Sequence, residues 1–123
     1  MIYEYNATVT RVVDGDTFIA VVDLGFRIRT ELTFRLADID TPETHRPHTM
    51  EERTHGEEAK QFVIDAIEHK EVMVITRKTG KYGRWIADVF YTDYSGNKDL
   101  REELVSRGLE KREYVDGIYG GSE

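Results

Sequence analysis

From Phe26 to Leu36 the chain alternates, with Phe26, Ile28, Leu32, Phe34 and Leu36 on one face and Arg27, Arg29, Glu31, Thr33 and Arg35 on the other. A period of two over that length predicts a β-strand with one face against a core. Upstream, Ala7 and Val9 oppose Thr8 and Thr10. Between these segments, Thr17-Phe18-Ile19-Ala20-Val21-Val22 is an apolar, branched run entered through Asp14-Gly15 and left through Asp23-Leu24-Gly25. Both junctions have hairpin-turn chemistry, so three antiparallel strands in a meander are expected.

The period then changes. Ala59, Phe62, Val63, Ala66 and Ile67 follow the i, i+3, i+4, i+7, i+8 spacing of one helical face, and Thr54 with Glu57 has the form of a capping box. A helix from about Thr54 to His69 is expected. Val72 to Ile75 and Ile86 to Tyr91 read as strands, separated by the charged turn Lys78-Thr79-Gly80-Lys81-Tyr82-Gly83. Asp99 can cap a second helix, Leu100 to Arg107, which Gly108 ends as a left-handed stop. The pair Gly120-Gly121 suggests a loose tail from about residue 117.

This order describes a mainly β chain with helices (α+β): a five-stranded Greek-key barrel of the OB type, with one helix after the third strand and a short C-terminal helix. An unrelated α+β sandwich would give the same string. At 123 residues, positions 1–123 are read as a single domain.

Composition narrows the chemistry. There is no cysteine, so any metal must be held by oxygen or imidazole. The start, Met1-Ile2-Tyr3-Glu4-Tyr5, has no basic region leading into an apolar run, and no segment is long enough to span a bilayer. The expectation is a soluble chain without membrane partners, cytoplasmic unless a leader was removed. Acidic residues outnumber basic ones 24 to 17, for a net charge of -7, which opposes long-range attraction to polynucleotides. A nucleic-acid substrate would need locally concentrated positive charge.

The densest chemistry lies in Arg35-Leu36-Ala37-Asp38-Ile39-Asp40-Thr41-Pro42-Glu43, with one cation and three carboxylates in nine residues. Crowded carboxylates raise one another's pKa, and a bound metal is the simplest resolution. Asp16, just inside the second strand, and Asp40, at the end of the third, can offer oxygens to a hard cation; such a donor set suits calcium better than zinc. Arg35 ends the polar face of its strand, Pro42 steers Glu43 off it, and Lys81-Tyr82-Gly83-Arg84 offers a second guanidinium. Ionised Asp16, Asp40 and Glu43 beside Arg35 and Arg84 sum to about -1, and a divalent ion brings the site to about +1, which can accept phosphate. Attack of water on a phosphodiester fits this set, with Glu43 orienting or deprotonating the water.

Asp14-Gly15-Asp16-Thr17, Arg35-Leu36 through Asp40-Thr41-Pro42-Glu43-Thr44, and Lys81-Tyr82-Gly83-Arg84 resemble the three signature blocks of the staphylococcal nuclease family, in order and at matching separations. The resemblance runs from about Tyr5 to Tyr114. It implies a calcium-dependent endonuclease of DNA and RNA, on single-stranded or locally opened substrate, leaving 3′-phosphates. By resemblance, Asp16, Asp40 and the backbone carbonyl of Thr41 bind calcium, Glu43 acts on water, and Arg35 and Arg84 grip the phosphate. Tyr82 and Tyr114 match aromatics that bracket the terminal nucleotide, and Lys81 one that lies near a phosphate. A stacked aromatic tolerates any base.

Departures are visible. Asp116 stands where the family has a second tyrosine, which Tyr119 replaces only if the tail folds back. The sequence given reaches Glu123 without the family's third helix, so either its own packing or self-association compensates or the barrel is less stable; a monomer or a weak homo-oligomer is expected. His45, His48 and His55 could form a zinc or nickel site; the favoured expectation is a solvated loop kinked by Pro47. His69 suits a surface or helix-end role. The rivals to a nuclease are an OB barrel that binds nucleic acid or protein without hydrolysis, and a structural calcium-binding domain.

Overall fold

A computed structural model describes residues 3–79 and 83–114. Its elements run β1 (Tyr3–Asp14), β2 (Thr17–Asp23), β3 (Arg29–Leu36), α1 (Met50–Ile67), β4 (Glu71–Thr79), β5 (Trp85–Asp93), β6 (Gly96–Asp99) and α2 (Leu100–Ser106). Sheet order is β3-β2-β1-β4-β5-β6, and an additional parallel pairing of β3 with β5 closes the first five strands into a barrel. The OB-type α+β barrel is therefore the observed fold, and the sandwich is not.

The inward face follows the alternation. Phe18 and Phe34 are register partners with ring centroids 5.4 Å apart, and Val9, Ala20, Val22, Leu36, Val74 and Val89 are buried with them. Ala59, Val63 and Ile67 of α1 and Leu100 and Leu104 of α2 complete the core. One register shift in β1 lies between Val9 and Arg11 and another between Val12 and Asp14, as expected of a long strand bent around a small barrel.

Three boundaries differ from the sequence reading. The third strand begins at Arg29, so Phe26 and Ile28 are not core residues: Phe26 is 95% exposed. Gly25, Phe26 and Arg27 have φ of 83, 56 and 64°, and this left-handed turn consumes the first residues of the alternating run. Helix α1 starts a turn early, because Thr49 is its N-cap, accepting from the Glu52 N–H at 3.0 Å, rather than the predicted Thr54. A sixth strand, absent from the reading, forms where Asp93 accepts from the N–H and hydroxyl of Ser95 and turns the chain into a hairpin. The second helix is as expected: Asp99 caps it and Gly108, at φ 71°, follows its end.

Candidate active site

The end of β3 is where the motif blocks meet. Arg35 is in register with Thr17 on one side and with Ile86 on the other, which draws Asp16 and Arg84 to the same barrel end. Two backbone bonds continue this, from Leu36 N–H to the Asp16 carbonyl at 2.8 Å and from Ala37 N–H to the Ala87 carbonyl at 2.9 Å. Asp16 stands just before β2 rather than inside it, and Asp40 lies four residues past the end of β3, in the following loop. Asp16 falls in the two-residue turn of the β1–β2 hairpin, whose last pair is Asp14 with Thr17.

Arg35 organises that loop. Its Nη1 donates to the carbonyls of Leu36 at 2.7 Å and Ile39 at 2.6 Å, while Nη2 pairs with Asp40 and lies 3.5 Å from Asp16. Asp16 in turn accepts from the Thr41 N–H at 3.0 Å and from the Thr17 hydroxyl at 3.0 Å. Asp16, Asp40, Thr41 and Arg35 are thus one connected group. Asp38 is not part of it: Arg77 holds it at 2.9 Å and bridges to Asp88 at 3.1 Å. The crowding of acids is relieved by two arginines, so it does not by itself call for a metal.

Arg35, Asp40 and Arg84 line a cavity of about 770 Å³ together with Asp38, Glu110, Lys111, Arg112 and Glu113. Four basic side chains balance four acidic ones there, so the cavity is formally neutral within an acidic whole, and the locally concentrated positive charge expected for a polynucleotide site is not found in its lining. Glu43 is fixed by its backbone: its N–H donates to Glu52 at 3.2 Å, and a Cβ on Gly56 would lie 2.8 Å from its carbonyl oxygen. Glu43 and Asp16 both act on buried Asp14, whose pKa is pushed up first by burial and then by these neighbouring charges, against hydrogen bonds from Gly15 and Thr44. Lys81 and Tyr82 lie outside the described residues. Tyr114 is separated from the main cavity, lining a neighbouring one of about 400 Å³, and Lys111, Arg112 and Glu113 line both.

Two features bear on whether a hard cation fits. Two carboxylates approach a single guanidinium nitrogen, and the Thr41 hydroxyl beside them is buried without a hydrogen-bond partner. All the donors are oxygen. Among the described residues no three His, Asp or Glu side chains form a metal cluster, so a cation here would complete its shell from carbonyl, water or substrate oxygens. The residues fit such an ion as an open site rather than a cage.

Several residues at the site have roles that the motif spacing does not predict. Asp14, a turn residue by its sequence, is buried. Glu52, 1% exposed, accepts from the N–H groups of Glu43 and His48 and pairs with Lys111 at 3.6 Å. Burial raises its pKa, but the bonds from His48 and Glu43 and the charge of Lys111 outweigh this and leave it lowered. Thr49 and Glu52 have the capping-box spacing, as do the later Thr54 and Glu57, and it is the earlier pair that starts α1. The expectation of solvated loop histidines fails for His55, which is buried in α1 and bonded at both ring nitrogens. His69 is exposed past the helix end at φ 64°.

Residues 33–117 match the family described as staphylococcal nuclease homologue. The chain belongs to that family. It is 31% identical over 132 residues to a probable endonuclease of Schizosaccharomyces pombe, covering 90% of this chain and 57% of that protein. It is 31% identical over 118 residues to a thermonuclease of Staphylococcus hyicus, covering 94% of this chain and 64% of that protein. A micrococcal nuclease of Shigella flexneri is 31% identical over 87 residues, covering 71% and 43%. The chain thus spans less than two thirds of the length of each of these relatives. Among the described residues no helix is long and apolar enough to cross a membrane.

Proposed function

We propose that this staphylococcal-nuclease-family chain is a calcium-dependent phosphodiesterase that hydrolyses single-stranded or locally opened DNA and RNA and leaves 3′-phosphate ends. The observation that carries this reading is that Arg35, which pairs with Asp40 and lies 3.5 Å from Asp16, lines one cavity with Asp40 and Arg84. Asp16, Asp40 and the Thr41 carbonyl would hold the ion, which when bound polarises the phosphoryl oxygens and offsets the charge of both carboxylates. Arg35 is braced by the Leu36 and Ile39 carbonyls through Nη1, and its Nη2, which pairs with Asp40, would turn to a phosphate oxygen once an ion takes over the Asp16 and Asp40 carboxylates. Arg84 supplies the second guanidinium as charge builds on the phosphoryl group. Glu43, on a segment clamped to α1, orients the attacking water and takes its proton.

The test is incubation of the chain with single-stranded DNA and with RNA, with added calcium or with a chelator, followed by identification of the product ends. Calcium-dependent cleavage with 3′-phosphate ends is expected. Binding without cleavage would replace this reading with a non-hydrolytic OB module, and calcium-dependent stabilisation without nucleic-acid binding would replace it with a structural calcium domain.

A further inference from the structure

We propose that His55 is a positioning residue for substrate binding: from α1 it fixes the segment 108–114 as a strap that presents Tyr114 to a nucleobase. This rests on the nuclease reading above. His55 is 6% exposed, with Nε2 2.7 Å from the Gly108 carbonyl and Nδ1 2.7 Å from the Tyr114 hydroxyl. A carbonyl can only accept, so Nε2 carries the proton. In the neutral ring Nδ1 is then bare and accepts the hydroxyl proton of Tyr114. One imidazole therefore ties both ends of the strap to the helix.

The same helix holds the middle, for Glu51 pairs with Arg112 at 3.0 Å and Glu52 with Lys111 at 3.6 Å. Halfway along, the Lys111 N–H donates to the Asp40 carbonyl at 2.7 Å, so the strap also touches the loop assigned to the metal. Tyr114 is left with limited ways to meet a ligand. Its hydroxyl is engaged by His55, whose ring meets it edge-on at 5.7 Å, and the Arg112 guanidinium lies over one face at 4.8 Å from the centroid. Substrate meets an aromatic surface rather than a hydroxyl, and stacking on such a surface discriminates little among bases. The effect belongs to binding and not to the chemical step, because neither His55 nor Tyr114 lines the cavity that holds Arg35, Asp40 and Arg84.

The experiment compares the unmodified chain with His55→Phe, Tyr114→Phe and the double variant, in steady-state cleavage of a single-stranded oligonucleotide with calcium, alongside hydrogen exchange at the Lys111 amide. Both single variants keep an aromatic ring and lose the link between the two side chains. Each is expected to raise KM about tenfold, with kcat within about twofold, on the scale of a lost buried hydrogen bond. The double variant should raise KM no further than His55→Phe does, since the bond that Tyr114→Phe removes is already broken in His55→Phe. In His55→Phe the Lys111 amide should exchange about tenfold faster, as expected when a tether of that strength is lost. Independent, multiplying effects on KM, or an unchanged KM in a variant whose strap has loosened, would overturn the role of His55. If His55→Phe does not fold, Tyr114→Phe carries the same expectation alone. No cleavage of either nucleic acid by the unmodified chain would overturn the nuclease reading itself, an outcome distinct from cleavage with unaltered KM.

Discussion

Arg35 has two duties that a single truncation would confuse. It binds the Leu36 and Ile39 carbonyls, shaping the loop, and it faces Asp16 and Asp40, where a phosphate would arrive. Arg35→Ala should lower turnover by about two to three orders of magnitude, as for loss of a preorganised donor to a developing anion. Arg35→Lys keeps the charge but lacks the planar fork that spans both duties, so it should recover little of that turnover. Recovery to near the original rate would show that charge alone suffices. Glu52 permits a test by pH. Its carboxyl is held below its ordinary pKa, so its contribution to stability is present above the unfolded value and is lost as pH falls through the lower, folded one. Glu52→Gln should cost about 1–3 kcal/mol at pH 7, the scale of a disturbed buried charge-assisted bond. That difference should shrink as denaturation curves are repeated at successively lower pH below the usual glutamate range.

Among the elements, α1 does more than close the barrel. It carries Gly56 against the backbone at Pro42 and Glu43, and a Cβ there would lie 2.8 Å from both carbonyl oxygens. Backbone cannot swing aside as a side chain can, so Gly56→Ala should push the Glu43 segment away from the helix. Turnover should fall at least about tenfold, the scale of a misplaced catalytic group, with a smaller proportional change in calcium affinity. An unchanged turnover would mean that Glu43 is not held by this contact. How far such features could be read in advance depended on their range. Five of the six strands and both helices were legible because period two and period 3.6 are local, and the three blocks were legible as ordered short strings. The contact of Gly56 with residue 43, the burial of Asp14 and the bonds of His55 were not. The first two depend on the loop before α1, which lies against Gly56 and Asp14, and the last on the segment after α2, and no spacing records either approach. Phe26 misled because its alternation continues into a turn whose backbone is left-handed, where the face of a side chain no longer follows from parity. The crowded acids misled in the other direction, since Arg77, which takes Asp38 away, lies 39 residues further along.

For the molecule as a whole, net charge and local charge pull against each other. The chain carries -7 overall, while its main cavity has equal numbers of basic and acidic side chains. Substrate capture should therefore lack strong long-range steering, and KM should rise only modestly between low and moderate salt, in contrast to the steep dependence of a basic nucleic-acid binder. A steep rise would point to a phosphate track beyond this cavity. The barrel itself is closed by pairing Phe34, Arg35 and Leu36 with Trp85, Ile86 and Ala87, partners about fifty residues apart in the chain. Contacts of such separation are slow to form during folding. Because Arg35 and Arg84 stand on opposite sides of that seam, a half-assembled chain could display native-like helices and hairpins yet have no working centre. Regained hydrolysis after dilution from denaturant would then act as a clock for the final zipping of the seam, lagging behind spectroscopic signals from the helices.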